Sequence, residues 1–146
     1  MKIEDEIKHE FSTPQERAAT NVVFTANWIL TEVAMRLKPS GLSWQQLNIL
    51  SILKGQPKGR ATVNLIKERM VDRMPNVSRL LNKMAEKGLV TKQRDTQDQR
   101  VVFVSLTETG DASREKAREA LASKSLISLD DKRADQLNGL LEELRE

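Results

Sequence analysis

The sequence predicts a mostly α-helical fold of about six helices carrying one small β-hairpin. Three observations lead there. Apolar residues recur at helical spacing over most of the 146 residues, and capping and stop residues cut that pattern into segments. One dense β-branched run, Val101-Val102-Phe103-Val104, breaks it. A content of 38% hydrophobic and 31% charged residues suits a helix-rich chain, and its length suffices for a core without metal or disulfide support. No run of about 18 apolar residues occurs, so no transmembrane helix is expected. The opening MKIEDEIKHEF is acidic rather than signal-like, and a bacterial cytoplasm is the expected compartment. Zero cysteines exclude disulfides, thiol sensing and Cys-ligated zinc. With a single His, no metal and no cofactor are expected.

Residues 1–11 have no clear period and read as a short lead-in helix or an ordered tail, with His9 in solvent. Thr13-Pro14-Gln15-Glu16 marks a helix start: Thr13 caps, Pro14 suits the first helical position, and Glu16 completes a capping box. Ala18, Val22, Val23, Ala26, Ile29, Leu30, Val33 and Leu37 carry this helix to Lys38, roughly 37 Å at 1.5 Å per residue. That is more apolar surface than one core needs. Pro39 and Gly41 stop it. Ser43-Trp44-Gln45-Gln46 opens a second helix with another capping box, flanked by Leu42 and Leu47 as a hydrophobic staple. Leu47, Ile49, Leu50, Ile52 and Leu53 make it apolar nearly all round, hence central. After a loop at Gly55–Gly59, a third short helix runs from Ala61/Thr62 to about Met70, with Val63, Leu65, Ile66 and Met70 inward.

Asp72–Met74 then form a turn, and Pro75 starts a fourth helix that ends near Lys87 at Gly88. At 100° per residue Val77, Leu80, Leu81 and Met84 fall within an arc of about 100°. Pro75, Arg79 and Asn82 lie opposite, flanked by Ser78 on one side and by Asn76 and Lys83 on the other. Leu89–Arg94 and Val101–Leu106 are strand-like runs around the turn-rich Asp95–Gln99, and nothing else in the chain pairs with them convincingly. Thr107 caps a fifth helix, Glu108 to about Lys124, whose Ala112, Ala117 and Ala120 beside Leu121 allow close helix approach. Ser128–Asp131 caps a sixth, with Ala134, Leu137, Leu140, Leu141 and Leu144 in a seam spaced by three and four.

Charge is unevenly spread. Residues 1–57 are neutral, residues 58–100 carry eleven Lys/Arg against five acids, and residues 101–146 are net −3. Basic charge gathered in one third of a chain points to a polyanion, the other reading being a solvated charged surface. An ordinary exposed helix face favours Glu/Lys pairs, whereas Asn, Ser and Arg are residues that hydrogen-bond base edges and phosphates. The fourth helix and the hairpin therefore read as a recognition helix and wing, the α+β winged helix-turn-helix.

This order of elements resembles the multiple-antibiotic-resistance regulator (MarR) family over roughly residues 12–146. Asn76-Val77-Ser78-Arg79-Leu80-Leu81-Asn82-Lys83-Met84, followed by Glu86-Lys87-Gly88-Leu89-Val90, is similar to the family's recognition helix and exit. Asp98-Gln99-Arg100 with Leu106-Thr107 and Gly110 resembles its wing signature, with Gln99 where Arg is commoner. The turn holds one residue more than the commonest family form. The resemblance implies a homodimer on a double-stranded, pseudo-palindromic operator. Residues 12–38 and 108–146 would supply dimerisation helices, and residues 43–106 the winged helix-turn-helix lobe of one 1–146 unit. It further implies that Arg100 enters the minor groove while Asp98 holds the wing in shape.

Asn76, Ser78, Arg79 and Asn82 are thus the candidates for base reading or helix positioning, and Arg73, Lys83, Lys92 and Arg94 for phosphate contact. Arg100 can also simply pair with Asp98; both roles are compatible. Trp28, Met35 and Trp44 are candidates for lining a small aromatic effector's pocket, against an ordinary packing role for the tryptophans. Ser51-Ile52-Leu53-Lys54 and Ser113-Arg114-Glu115-Lys116 both match S-x-x-K, but no companion motif accompanies them. With no Gly-rich phosphate loop, Ser/His/Asp set or metal-ligand spacing, no catalytic residue is expected. A repressor released by a small molecule is the function expected. The alternative is a winged helix kept as a protein-interaction module, which should lack the basic face and wing arginine that this chain keeps.

Overall fold

A computed structural model describes residues 1–73 and 76–146. Its helices are α1 (Ile3–Ile7), α2 (Pro14–Leu37), α3 (Trp44–Lys54), α4 (Val63–Arg69), α5 (Val77–Glu86), α6 (Glu108–Ala122) and α7 (Asp131–Glu143). Its strands are β1 (Arg60–Thr62), β2 (Val90–Arg94) and β3 (Val102–Leu106). Among the described residues there are thus seven helices rather than about six. The added one is α1, formed by the lead-in segment and seated by the buried Ile3. Met74 and Pro75, expected to close the turn and open the recognition helix, lie outside the described residues.

Local capping explains where most helices begin. Thr13 accepts the Glu16 N–H at 3.1 Å, while the Glu16 carboxylate reaches one residue further back, to the Ser12 N–H. Ser43 and Gln46 complete a reciprocal box at α3. Asp130 caps α7 through the Arg133 N–H. The core gathers around α3, whose Leu47, Ile49, Leu50 and Leu53 are buried against α2, α4, α6 and the sheet. That enclosure is why α3 is apolar nearly all round.

Two expectations are corrected. The hairpin does not stand alone: the three-stranded antiparallel sheet has the order β1-β3-β2, with Ala61 opposite Val104. A short 3₁₀ turn at Pro57–Gly59, with Lys58 and Gly59 at positive φ, delivers Arg60–Thr62 to the free edge of β3. The third helix consequently begins at Val63, not at Ala61/Thr62, and Thr62 caps it by accepting the Leu65 N–H at 3.1 Å. A three-residue strand is too short to register as an alternation.

The wing is fastened to α6 at its base. Thr107 donates its N–H to the Leu89 carbonyl at 3.2 Å and its hydroxyl to the Gly88 carbonyl at 2.6 Å, while its Oγ1 accepts the Gly110 N–H at 3.0 Å. A Cβ on Gly110 would lie 2.0 Å from the Leu89 carbonyl oxygen, so only glycine permits this approach. At the other end of α6, Arg36 on α2 donates to the carbonyls of Leu121 (3.0 Å), Lys124 and Ser125, tying the two long helices together.

Candidate nucleic-acid interface

The sequence pattern of α5 is realised as a two-faced helix. Val77, Leu81 and Met84 are buried, Leu80 is half-buried, and Ser78, Arg79, Asn82 and Lys83 form the exposed side. Asn76 is the N-cap: its Oδ1 accepts the Arg79 N–H at 3.1 Å. That oxygen is therefore committed to the helix, leaving the amide N–H groups of Asn76 as its outward donors. At the far end Gly88, at φ +73°, lets the Leu89 N–H bond back to the Met84 carbonyl at 3.0 Å. The chain turns there directly into β2, which brings the hairpin alongside α5.

Register decides which strand residues face α5. Val90, Lys92 and Arg94 stand opposite Leu106, Val104 and Val102, on one face of β2. Lys92 Nζ donates to Asn82 Oδ1 at 2.6 Å, joining wing to helix, and Arg94 Nη1 donates to the Gln99 carbonyl at 3.2 Å. At the tip, Asp98 accepts the Arg100 backbone N–H and Nε at 3.1 Å each, and Arg100 Nη2 at 3.3 Å. The Arg100 guanidinium, and then its backbone N–H, hold the Asp98 carboxyl below its ordinary value. Arg100 nonetheless has 92% of its side chain exposed. Pairing with Asp98 and availability to a partner coexist.

Lys92, Arg94, Arg100 and Ser78 line a cleft of about 370 Å³ between α4, α5 and the wing, together with Thr62, Asn64 and Lys67. Four cations and no carboxylate line it, an arrangement that concentrates positive potential where a phosphate can sit. Asn76, Arg79 and Lys83 lie on the other flank of α5, around a second hollow shared with Ser43 and Gln45. Arg73 joins neither group. Its Nη1 donates to the Glu68 carbonyl at 2.6 Å, and it lines a separate hollow with Asn48, Ser51 and Arg69. Sequence reasoning missed Thr62, Asn64 and Lys67. Asn64 and Lys67 fall three apart on α4, on the flank that also carries Val63 into the cleft, and that spacing is the signal that marks them.

The effector candidates are spread out. Trp28 and Met35 are exposed at 55% and 62% along α2, and Trp44 is half-buried against the core. Among the described residues no group of three His, Cys, Asp or Glu is placed to hold a metal. Lys54, from the first S-x-x-K match, is engaged by Asp111 at 2.7 Å. No helix among the described residues is long and apolar enough to cross a membrane.

Comparison with known proteins agrees with this geometry. The family model for the transcriptional regulator SarA/Rot matches residues 33–118. The HTH-type transcriptional repressor MdtR of Bacillus subtilis (strain 168) is 31% identical over 99 residues, 68% of this chain. The matched stretch spans 61% of that relative's length. Among solved structures, Sco5413, a MarR family transcriptional regulator from Streptomyces coelicolor, superposes with a TM-score of 0.81 at 23% identity, covering 92% of this chain and 94% of that one. Sco3205, a MarR family regulator from the same organism solved in complex with DNA, gives 0.76 at 17% identity over 94% and 90%. At such identities the likeness is one of fold. The family match adds the rest: the chain belongs to the SarA/Rot family of transcriptional regulators, built on the winged-helix fold seen in the MarR-family structures.

Proposed function

We propose that this protein is a homodimeric repressor that occupies a pseudo-palindromic operator, each protomer laying α5 in a major groove and its wing along the adjacent minor groove. The observation that carries this reading is the carboxylate-free cleft holding Lys67, Lys92, Arg94 and Arg100, beside the polar face of α5. Asn76, Ser78, Arg79 and Asn82 contact base edges or position the helix. Lys83, Lys92, Arg94 and Arg73 contact phosphates, and Arg100 enters the minor groove with Asp98 holding the tip in shape. Repression is supported by the relative named as a repressor. A bacterial cytoplasm, where the chromosome lies, is the matching compartment.

Dimerisation is supported by apolar surface that one chain leaves uncovered. Only Val33 and Leu37 of α2 are buried, and α7 buries none of its residues. Val22, Val23, Phe24 and Leu30 on α2, with Leu137, Leu140 and Leu144 at the C-terminus, are exposed. In this reading residues 12–38 and 108–146 interlock with a second copy and hold the two 43–106 lobes about 34 Å apart, one turn of B-DNA. A small aromatic effector seated near Trp28, Met35 and Trp44 would release DNA by favouring a different lobe spacing, an ordinary population shift.

Titrating a promoter-length duplex with the protein at several salt concentrations tests the reading. Six to ten phosphate contacts per dimer predict a log–log slope of about −0.9 per contact. A flat or absent response would remove DNA reading and leave the interaction-module alternative.

A further inference from the structure

The bond from Lys92 on β2 to Asn82 on α5 has a consequence for base recognition. An ammonium has only donors to offer, so the Asn82 atom 2.6 Å from Nζ is the carbonyl oxygen, and the amide orientation follows from that chemistry. The end of Asn82 left to turn outward is its NH₂ group, with two donors. An unrestrained Asn reads adenine with both ends at once: its NH₂ donates to N7 and its oxygen accepts from the N6 amino group. Here one lone pair of that oxygen is occupied. The other sits beside a full positive charge, a poor place for a second donor such as N6. Guanine instead presents N7 and O6, two acceptors side by side.

We infer that Lys92, a residue of the wing strand, sets the base preference of the recognition helix by holding Asn82 as a donor-only reader of guanine rather than adenine. Asn76 points the same way, because its oxygen is taken up by the Arg79 N–H. Both asparagines at the exposed side of α5 therefore offer donors. Lys92 keeps two further N–H groups for a phosphate, so positioning and phosphate contact are compatible. The inference rests on α5 being the major-groove helix, and the experiment separates the two ideas.

Duplexes with randomised half-sites are selected with the wild-type protein, Asn82→Ala and Lys92→Met, and the retained pools are sequenced. Both side chains are exposed, and thermal midpoints confirm that the variants fold. Asn82→Ala should flatten one position per half-site. At that position the wild type should hold guanine over adenine by about fivefold or more, the lower end for a base-edge contact. Lys92→Met should bind more weakly on every sequence, having lost a cation, and should shift that one position toward adenine while the others keep their preference. Adenine preferred there by the wild type, a preference unmoved in Lys92→Met, or no position altered by Asn82→Ala would each overturn the inference. A wild-type pool with no enriched sequence would overturn the major-groove reading itself, and the inference with it.

Discussion

Replacing Gly110 by Ala tests how the wing is anchored. The new Cβ would lie 2.0 Å from the Leu89 carbonyl oxygen, 2.9 Å from its carbon and 3.0 Å from Leu106 Cδ1. Ordinary contact begins near 3.4 Å, so the start of α6 must retreat from the base of β2 by more than an ångström. Two of the three atoms are backbone and cannot swing aside. The retreat stretches the Thr107 N–H bond to Leu89 and the hydroxyl bond to Gly88. Overpacking costs about 1–3 kcal/mol, and two weakened hydrogen bonds about 1 kcal/mol each. The better helix propensity of Ala returns about 1 kcal/mol. The expected loss is roughly 2–4 kcal/mol. Urea unfolding followed by far-UV circular dichroism should show the midpoint drop at unchanged m-value. DNA affinity under conditions where the variant is folded should fall as well, because the wing base has moved relative to α5. A variant as stable as wild type, or more stable, would mean that the α6–β2 junction yields freely and that the wing is not held there.

Arg100→Ala, at a side chain 92% exposed, should leave the unfolding midpoint within about 0.5 kcal/mol of wild type and weaken operator binding; unchanged affinity and unchanged salt slope would refute the minor-groove role. Leu140→Glu combined with Leu144→Glu should yield monomers in sedimentation velocity with helicity retained, since both positions are exposed in one chain; a dimer that persists would place the interface elsewhere. Asp111 is held below its ordinary carboxyl value by the Lys54 ammonium first and the Arg114 guanidinium second. Because the folded value lies below the unfolded one, this contribution is present above pH ~4 and is lost as pH falls through the folded value. Asp111→Asn should therefore be destabilised at neutral pH and show a flatter acid limb in urea midpoints from pH 3 to 7, whereas profiles parallel to wild type would refute the assignment.

Much of this molecule was legible because much of it is local. The Ser43/Gln46 box, Thr13-Pro14, Asp130 and Gly88 act within one turn of chain, so each helix boundary they set could be read directly. The two faces of α5 follow from residues three and four apart. The expectation failed where a pairing partner lies far along the chain. Arg60–Thr62 meets Val102–Leu106 across more than forty residues, and three residues carry too little pattern to announce a strand. For the same reason Lys67 escaped notice as part of the cleft: its helix was legible, but its position opposite the wing depends on β1 docking on β3.

The sequence by itself determined six of the seven helices, the two faces of α5 and the basic middle third, since caps, periodicity and charge are properties of neighbouring residues. Only the tertiary structure decided that the wing is two strands of a three-stranded sheet with β3 at its centre, that four cations share one cleft, and that Lys92 grips Asn82. Those outcomes join side chains from separate elements. Strand register and the packing of α4 and α5 bring them within hydrogen-bonding or electrostatic range, and neither is written in any single stretch of the chain.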